Sequence, residues 1–287
     1  MNSRMTQPSS IACTVAIAIA MLAVSVQAQE TPVAQSDTAD TGQSPSVEEL
    51  AKLKQNPVSG LRQIVFQAVV SPEVPVTGKT AGNYSLQPVW PFPLGKDWRL
   101  VTYTILPVVQ QPGAAGENTI VGLGDTLINL FVSPRKAKKV IWGAGPAILL
   151  PTRTNAALGS DRLSLGPAGL LFYAKGAWSI GLVVQNGWSL GGTGINKVNA
   201  FGAQYLINYN LPKGWYLYSN STISSNWTAD RNNRWTVPVG GGVGKIFMAG
   251  KLPLSASLQM FANVVTPSGA PTWGANFQFA FLLGAPQ

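Results

Sequence analysis

The chain has 287 residues, of which 46% are hydrophobic and only 11% charged, against roughly 25% charged in ordinary soluble domains. Histidine is absent and the one cysteine is Cys13, so the usual general base, the commonest metal ligand, a disulfide framework and a thiolate metal site are all missing. The net charge of +9 is dispersed: basic residues stand singly in predicted turns, apart from Arg135-Lys136-Ala137-Lys138-Lys139. No basic patch with interleaved aromatics is present, so nucleic acid is excluded as a partner, and basic turns of this kind suit anionic lipid headgroups.

Residues 1–28 read as an export signal. Arg4 is the only charge before Glu30, Ile11 to Val26 is nearly all apolar, and Val26-Gln27-Ala28 fits a small-x-small cleavage site. The apolar run is shorter than the roughly 20 residues of a spanning helix, and no basic stop-transfer cluster follows it. A lipid-modified cysteine is disfavoured, because Ser10 stands where that signal needs a Leu-like residue. Beyond residue 29 no apolar stretch is long enough to cross a bilayer as a helix. A membrane protein without such stretches has to be a closed barrel.

Residues 29–45 are rich in Gln, Thr, Ser, Asp, Pro and Ala and read as a disordered linker. A short periplasmic helix is expected over 46–57. Ser46 and Glu49 have capping-box spacing, Leu50 and Leu53 mark an apolar face, and Pro57 ends the element.

From Leu61 the periodicity changes to two. Strands are predicted near 61–70, 82–93, 98–110, 120–132, 140–150, 163–174, 177–189, 199–210, 215–227, 235–247, 253–264 and 273–283. In the last of these, Trp273, Ala275, Phe277, Phe279 and Phe281 alternate with Gly274, Asn276, Gln278, Ala280 and Leu282. Apolar-out, small-or-polar-in alternation is the barrel signature, although a half-buried soluble sheet shares it. The connections separate the two readings. Short turns at 94–97, 133–139, 175–176, 211–214 and 248–252 alternate with longer loops at 71–81, 111–119, 151–162, 190–198, 228–234 and 265–272. The prediction is therefore an all-β, antiparallel, up-and-down transmembrane β-barrel of about 12 strands over 61–283. Trp90, Phe92, Trp98, Trp178, Trp215 and Tyr216 flank the short turns, where aromatic rings favour the headgroup zone.

Parity assigns the lumen. Gln87, Asn129, Gln204, Asn208, Asn276 and Gln278 are the uncharged candidates, with Asp125 the one acid. Asp125 could orient a solute at a constriction, or it could pair with a wall residue or cap a turn, as buried charges normally do. Glu73, Asp97, Glu117, Asp125, Asp161 and Asp230 are the only acids after residue 60, and none pairs by spacing. Catalysis is therefore not expected, nor is a cofactor or a metal. The run Gly240-Gly241-Gly242-Val243-Gly244-Lys245 is no phosphate loop, since Val239 occupies the first glycine position and Ile246 follows the lysine. It reads as strand glycines that permit close packing.

Several stretches resemble a bacterial outer-membrane family named for the MetA pathway of phenol degradation, whose members are often mislabelled neuromedin U. They are Asn56-Pro57-Val58, Gly122 to Thr126 with Phe131-Val132-Ser133-Pro134, and Trp142 to Pro146 with Leu150-Pro151-Thr152. The longest is Asn208 to Phe247, with Asn208-Tyr209-Asn210-Leu211-Pro212, Gly214-Trp215-Tyr216, Asn226-Trp227 and Arg234-Trp235-Thr236-Val237-Pro238. The resemblance implies an outer-membrane barrel, built in by the barrel assembly machinery, that moves small hydrophobic or aromatic solutes. It carries over no catalytic or binding residues. The chain departs from the usual barrel signal by ending on Leu282-Leu283-Gly284-Ala285-Pro286-Gln287 in place of an aromatic. A non-transporting barrel, filled by its own side chains or plugged by residues 29–60, is the alternative.

Overall fold

The computed structural model describes residues 46–114, 116–136, 140–192 and 197–284. The export signal expected over 1–28 and the linker expected over 29–45 lie outside them. The chain begins with one helix, α1 (Val47–Gln55). The strands follow as β1 (Arg62–Ser71), β2 (Ala81–Leu94), β3 (Trp98–Gln111), β4 (Ile120–Leu123), β5 (Thr126–Pro134), β6 (Val140–Leu150), β7 (Arg162–Lys175), β8 (Trp178–Gly192), β9 (Asn199–Asn210), β10 (Trp215–Asn226), β11 (Trp235–Ala249), β12 (Leu252–Val265) and β13 (Trp273–Leu283). Each strand pairs antiparallel with its neighbours. β1 also pairs with β13, from Arg62 opposite Leu283 to Val70 opposite Ala275, and this closes the sheet. The result is a closed antiparallel barrel of twelve strands with one extra strand, β4.

The extra strand arises from a break in a segment predicted as one strand over 120–132. β4 and β5 both pair with β3, but Val108 faces Leu123 whereas Ile105 faces Leu127, so Gly124 and Asp125 insert one residue into the ladder. β5 pairs with β6 only from Thr126 opposite Leu150 downward. Above that point the 151–161 loop takes the place of a neighbouring strand. Thr154 Oγ1 accepts from the Leu123 N–H at 3.0 Å, and the Thr152 hydroxyl donates to the Gly124 carbonyl at 2.8 Å. A bulge of this kind re-aims side chains and ends pairing at the rim of a barrel.

Four of the short connections carry a residue in the left-handed region: Gly95, Gly176, Gly250 and the pair Lys213-Gly214. Tight hairpins need positive φ, which glycine adopts without strain.

The outer wall is apolar. Leu171, Ile180, Leu182, Leu217, Val243, Leu258, Met260 and Phe277 are all exposed, as a lipid-facing band requires. Aromatics bracket this band. Trp98 packs edge-on to Trp142 at 5.8 Å and Trp178 to Tyr209 at 4.9 Å beside the short turns. Trp227 packs on Trp235 at 5.3 Å beside a long loop. Tyr216 departs from the expectation. It follows Trp215 directly and so points to the opposite face, where it is 1% exposed.

The β10–β11 ladder is interrupted. It runs from Trp215 opposite Lys245 to Tyr218 opposite Gly242 and resumes at Ser224 opposite Thr236. Side chains fill the seam. The carbonyl oxygen of Gln259, a residue with no exposed surface, accepts from the Asn220 N–H at 3.0 Å, and its amide donates to Ser221 Oγ at 2.9 Å. Ser219 Oγ donates to the Gly240 carbonyl and the Tyr205 hydroxyl to the Pro238 carbonyl. A Cβ on Gly240 or Gly242 would meet the β12 backbone at 2.0 or 2.2 Å, so these two glycines bring β12 close enough for Gln259 to cross. Gln259→Leu strands the Asn220 N–H and is expected to cost about 1–3 kcal/mol. A lowered urea midpoint for loss of the heat-modifiable folded band checks this; an unchanged midpoint contradicts it.

Candidate functional site

The interior of the barrel is the candidate site, and α1 defines it. Ser46 caps the helix: its hydroxyl accepts from the Glu49 N–H at 3.2 Å, while the Glu49 carboxylate accepts from the Ser46 N–H at 2.8 Å. The apolar face of the helix is not left at the barrel mouth. Leu50 and Ala51 pack with Leu61, Val65, Tyr216, Tyr218, Ile246, Ala280 and Leu282 on the inner wall. Two polar contacts fix its ends. Glu48 accepts from the Lys213 N–H at 3.0 Å in the β9–β10 turn. Gln55 exchanges amide hydrogen bonds with Asn210, at 2.8 and 3.2 Å.

The chain then crosses the lumen. Asn56 Oδ1 accepts from the Val58 N–H at 3.1 Å, forming a local turn. Val58, 2% exposed, packs in the apolar cluster on the other side with Val101 and Phe131. Arg99 donates to the Val58 and Arg135 carbonyls at 3.4 and 2.8 Å. Residues 47–58 thus form a stopper at the short-turn end of the barrel.

Beyond the stopper lies a cavity of about 110 Å³. Its lining has two characters. Val65, Val89, Phe131, Val183 and Leu206 are apolar, whereas Gln63, Gln67, Gln87, Gln204, Asn208, Asn220 and Gln278 carry carboxamides. Four of these amides bond to other carboxamides, and Asn208 donates to the Ser179 carbonyl at 3.4 Å. The Tyr103 hydroxyl donates to Gln87 at 2.8 Å, Gln87 donates to Gln67 at 2.6 Å, and Gln67 donates to Asn276 at 3.1 Å. Gln204 donates to Asn220 at 2.9 Å. A mutually satisfied network of neutral groups stands in a low-dielectric interior without the penalty of an unpaired charge.

Among the described residues Lys54 is the one charged side chain lining this cavity. It reaches the Tyr216 hydroxyl at 3.4 Å and lies 5.5 Å from the centre of that ring. Tyr216 is itself placed by Gly244, where a Cβ would meet the ring at 2.2 Å, and by Ser255 at 3.1 Å.

Of the residues predicted to face the lumen, Gln87, Gln204, Asn208 and Gln278 line the cavity, and Asn276 joins its amide network. Asn129 is 2% exposed and lies outside the lining. Asp125 serves the bulge: its carboxylate accepts from the Ser160 N–H at 2.6 Å and the Ser160 hydroxyl at 2.9 Å, tying down the 151–161 loop. Gln63, Gln67, Tyr103, Asn220 and Lys54 were not anticipated. Gln63 and Gln67 alternate with Ile64 and Phe66 and were within reach of the parity rule. Among the described residues no group of three His, Cys, Asp or Glu side chains is placed to hold a metal.

No protein-family model matches the chain, and no curated protein matches it by sequence. Solved structures do match. One is described as the COG4313 outer membrane channel from Pseudomonas putida F1; it is 18% identical with a TM-score of 0.58, over 78% of this chain and 94% of that one. The fold is that of this outer-membrane barrel. Two further barrels align with less agreement. The NanC porin is 12% identical with a TM-score of 0.47, over 78% of this chain and 100% of that one. The outer membrane phospholipase of Salmonella typhi is 14% identical with a TM-score of 0.41, over 83% and 97%. At those scores neither bears on function.

Proposed function

We propose that the chain is an outer-membrane channel of a Gram-negative bacterium, exported with a cleaved signal, through which small hydrophobic or aromatic solutes pass passively. The observation that carries this reading is the mixed lining of the lumen. Valines, Phe131 and Leu206 offer apolar surface, and carboxamides at alternate inward positions of the same strands (Gln63 and Gln67 beside Val65, Gln204 and Asn208 beside Leu206) offer neutral hydrogen-bonding groups. An apolar solute with one polar end is matched by such a lining, and sites for small molecules generally combine these features. Outer-membrane lipid surrounds the wall in this account, and the barrel assembly machinery inserts it. The reading is non-enzymatic.

Labelled phenol and labelled sucrose, supplied to cells that express or lack the protein, test the reading. Expression is expected to raise phenol accumulation several-fold and leave sucrose unchanged. Equal accumulation of phenol, and of every other aromatic tried, would sink it.

The stopper favours a second reading, a structural barrel that transports nothing. The helix buries its apolar face on the wall and leaves a small cavity. Under this reading, removing residues 46–60 opens a pore that the full-length protein never uses.

A further inference from the structure

We propose that Lys54 makes the lumen selective for anions, so that the preferred solute is a small apolar molecule bearing one carboxylate. This rests on the channel reading above and specifies its substrate class.

Among the described residues the cavity is lined by a single cation and no acid. The two carboxylates of α1 are engaged elsewhere, Glu49 in the helix cap and Glu48 on the Lys213 N–H. Asp125 is held by Ser160. The ion pair found among the described residues is Arg153–Asp161, in and beside the 151–161 loop. Lys54 is placed by a neutral hydroxyl and an aromatic ring, which leaves its charge uncompensated. One fixed charge in a narrow, partly apolar passage acts on any ion that comes within a few ångströms, because the low-dielectric wall strengthens the interaction and screening by salt is incomplete. Charged lining groups set ion preference in pores by this means.

The geometry gives the solute a direction. Lys54, Gln55 and Pro57 contribute the stopper's side of the cavity, and the valines and Leu206 contribute the walls. A carboxylate meets the ammonium at the stopper and its apolar body meets the wall. A cavity near 150 Å³ accepts benzene, and about 110 Å³ is of the same order, the scale of a short-chain carboxylate such as butyrate.

The test uses the full chain, purified and reconstituted in planar bilayers under a KCl gradient, with equilibrium dialysis of labelled butyrate and 1-butanol as a second readout. The wild type is expected to favour Cl⁻ over K⁺ by about threefold to tenfold, the range one partly screened charge supplies. Lys54→Gln brings the ratio close to one, Lys54→Glu inverts it and Lys54→Arg keeps it. Butyrate binds more tightly than 1-butanol, and Lys54→Gln removes the difference. An anion preference that survives Lys54→Gln and Lys54→Glu, or equal binding of butyrate and 1-butanol, overturns this inference and leaves the channel reading standing. Absence of current from both the full chain and a chain lacking residues 46–60 overturns the two together.

Discussion

Leu50→Asp is expected to unseat the stopper while the barrel stays folded. Leu50 is 3% exposed and lies at the centre of the cluster that joins α1 to the wall. Losing its burial costs about 2–5 kcal/mol, and a carboxylate placed against Leu61, Ile246 and Leu282 loses hydration that Lys54, one turn away, only partly offsets. Since each 1.4 kcal/mol is about tenfold in population, even the lower figure moves a docked helix substantially towards release. Two measurements check this. Trypsin is expected to cut after Lys54 in the variant and spare it in the wild type, with the heat-modifiable band retained in both. Single-channel current is expected to rise. Leu53→Asp, at a side chain packed only at the edge of the cluster, gives a smaller change.

The second large effect is on the outer wall. Leu258 lies mid-strand in β12, opposite Val243 on one side and Phe277 on the other, and all three are exposed to the lipid side. Leu258→Arg places a guanidinium at the depth where basic residues cost about 2–4 kcal/mol, whereas Val265→Arg, at the last residue of the same strand, costs about 0–1 kcal/mol. Urea titration of refolding into lipid vesicles separates them. A large loss for Leu258→Arg beside a small one for Val265→Arg supports the lipid-facing assignment. Equal losses would contradict it.

The Leu258 prediction depends on which side of the wall a residue occupies, and that much was readable in the sequence. Phe277 and Gln278 fall on opposite faces because a strand alternates at every residue. The alternation of short and long connections fixed the order of the strands. The break at Gly124-Asp125 was not readable, because both halves keep the same alternation and the insertion shows only against the partner strand β3. For the same reason Asp125 had two open roles. Its partner, Ser160, is 35 residues away on a loop whose path no periodicity reports.

The site was less legible than the wall. A capping box and two leucines announce a helix at 46–57, but nothing local says that its apolar face docks inside the barrel. Lys54 lies four residues after Leu50 and so shares its face. That spacing was available, and it acquires meaning only once the wall facing Leu50 is known. Gln259 was hidden in a similar way. Its neighbours Leu258 and Met260 mark it as inward, yet its role depends on a seam on the far side of β11.

Planar-bilayer recording of the full chain beside a chain lacking residues 46–60 asks whether the closed wall surrounds a conducting path that α1 obstructs. A small conductance is expected from the full chain and one several-fold larger from the shortened chain, with both barrels folded. Equal conductances, or none from the shortened chain, would mean that α1 obstructs no such path.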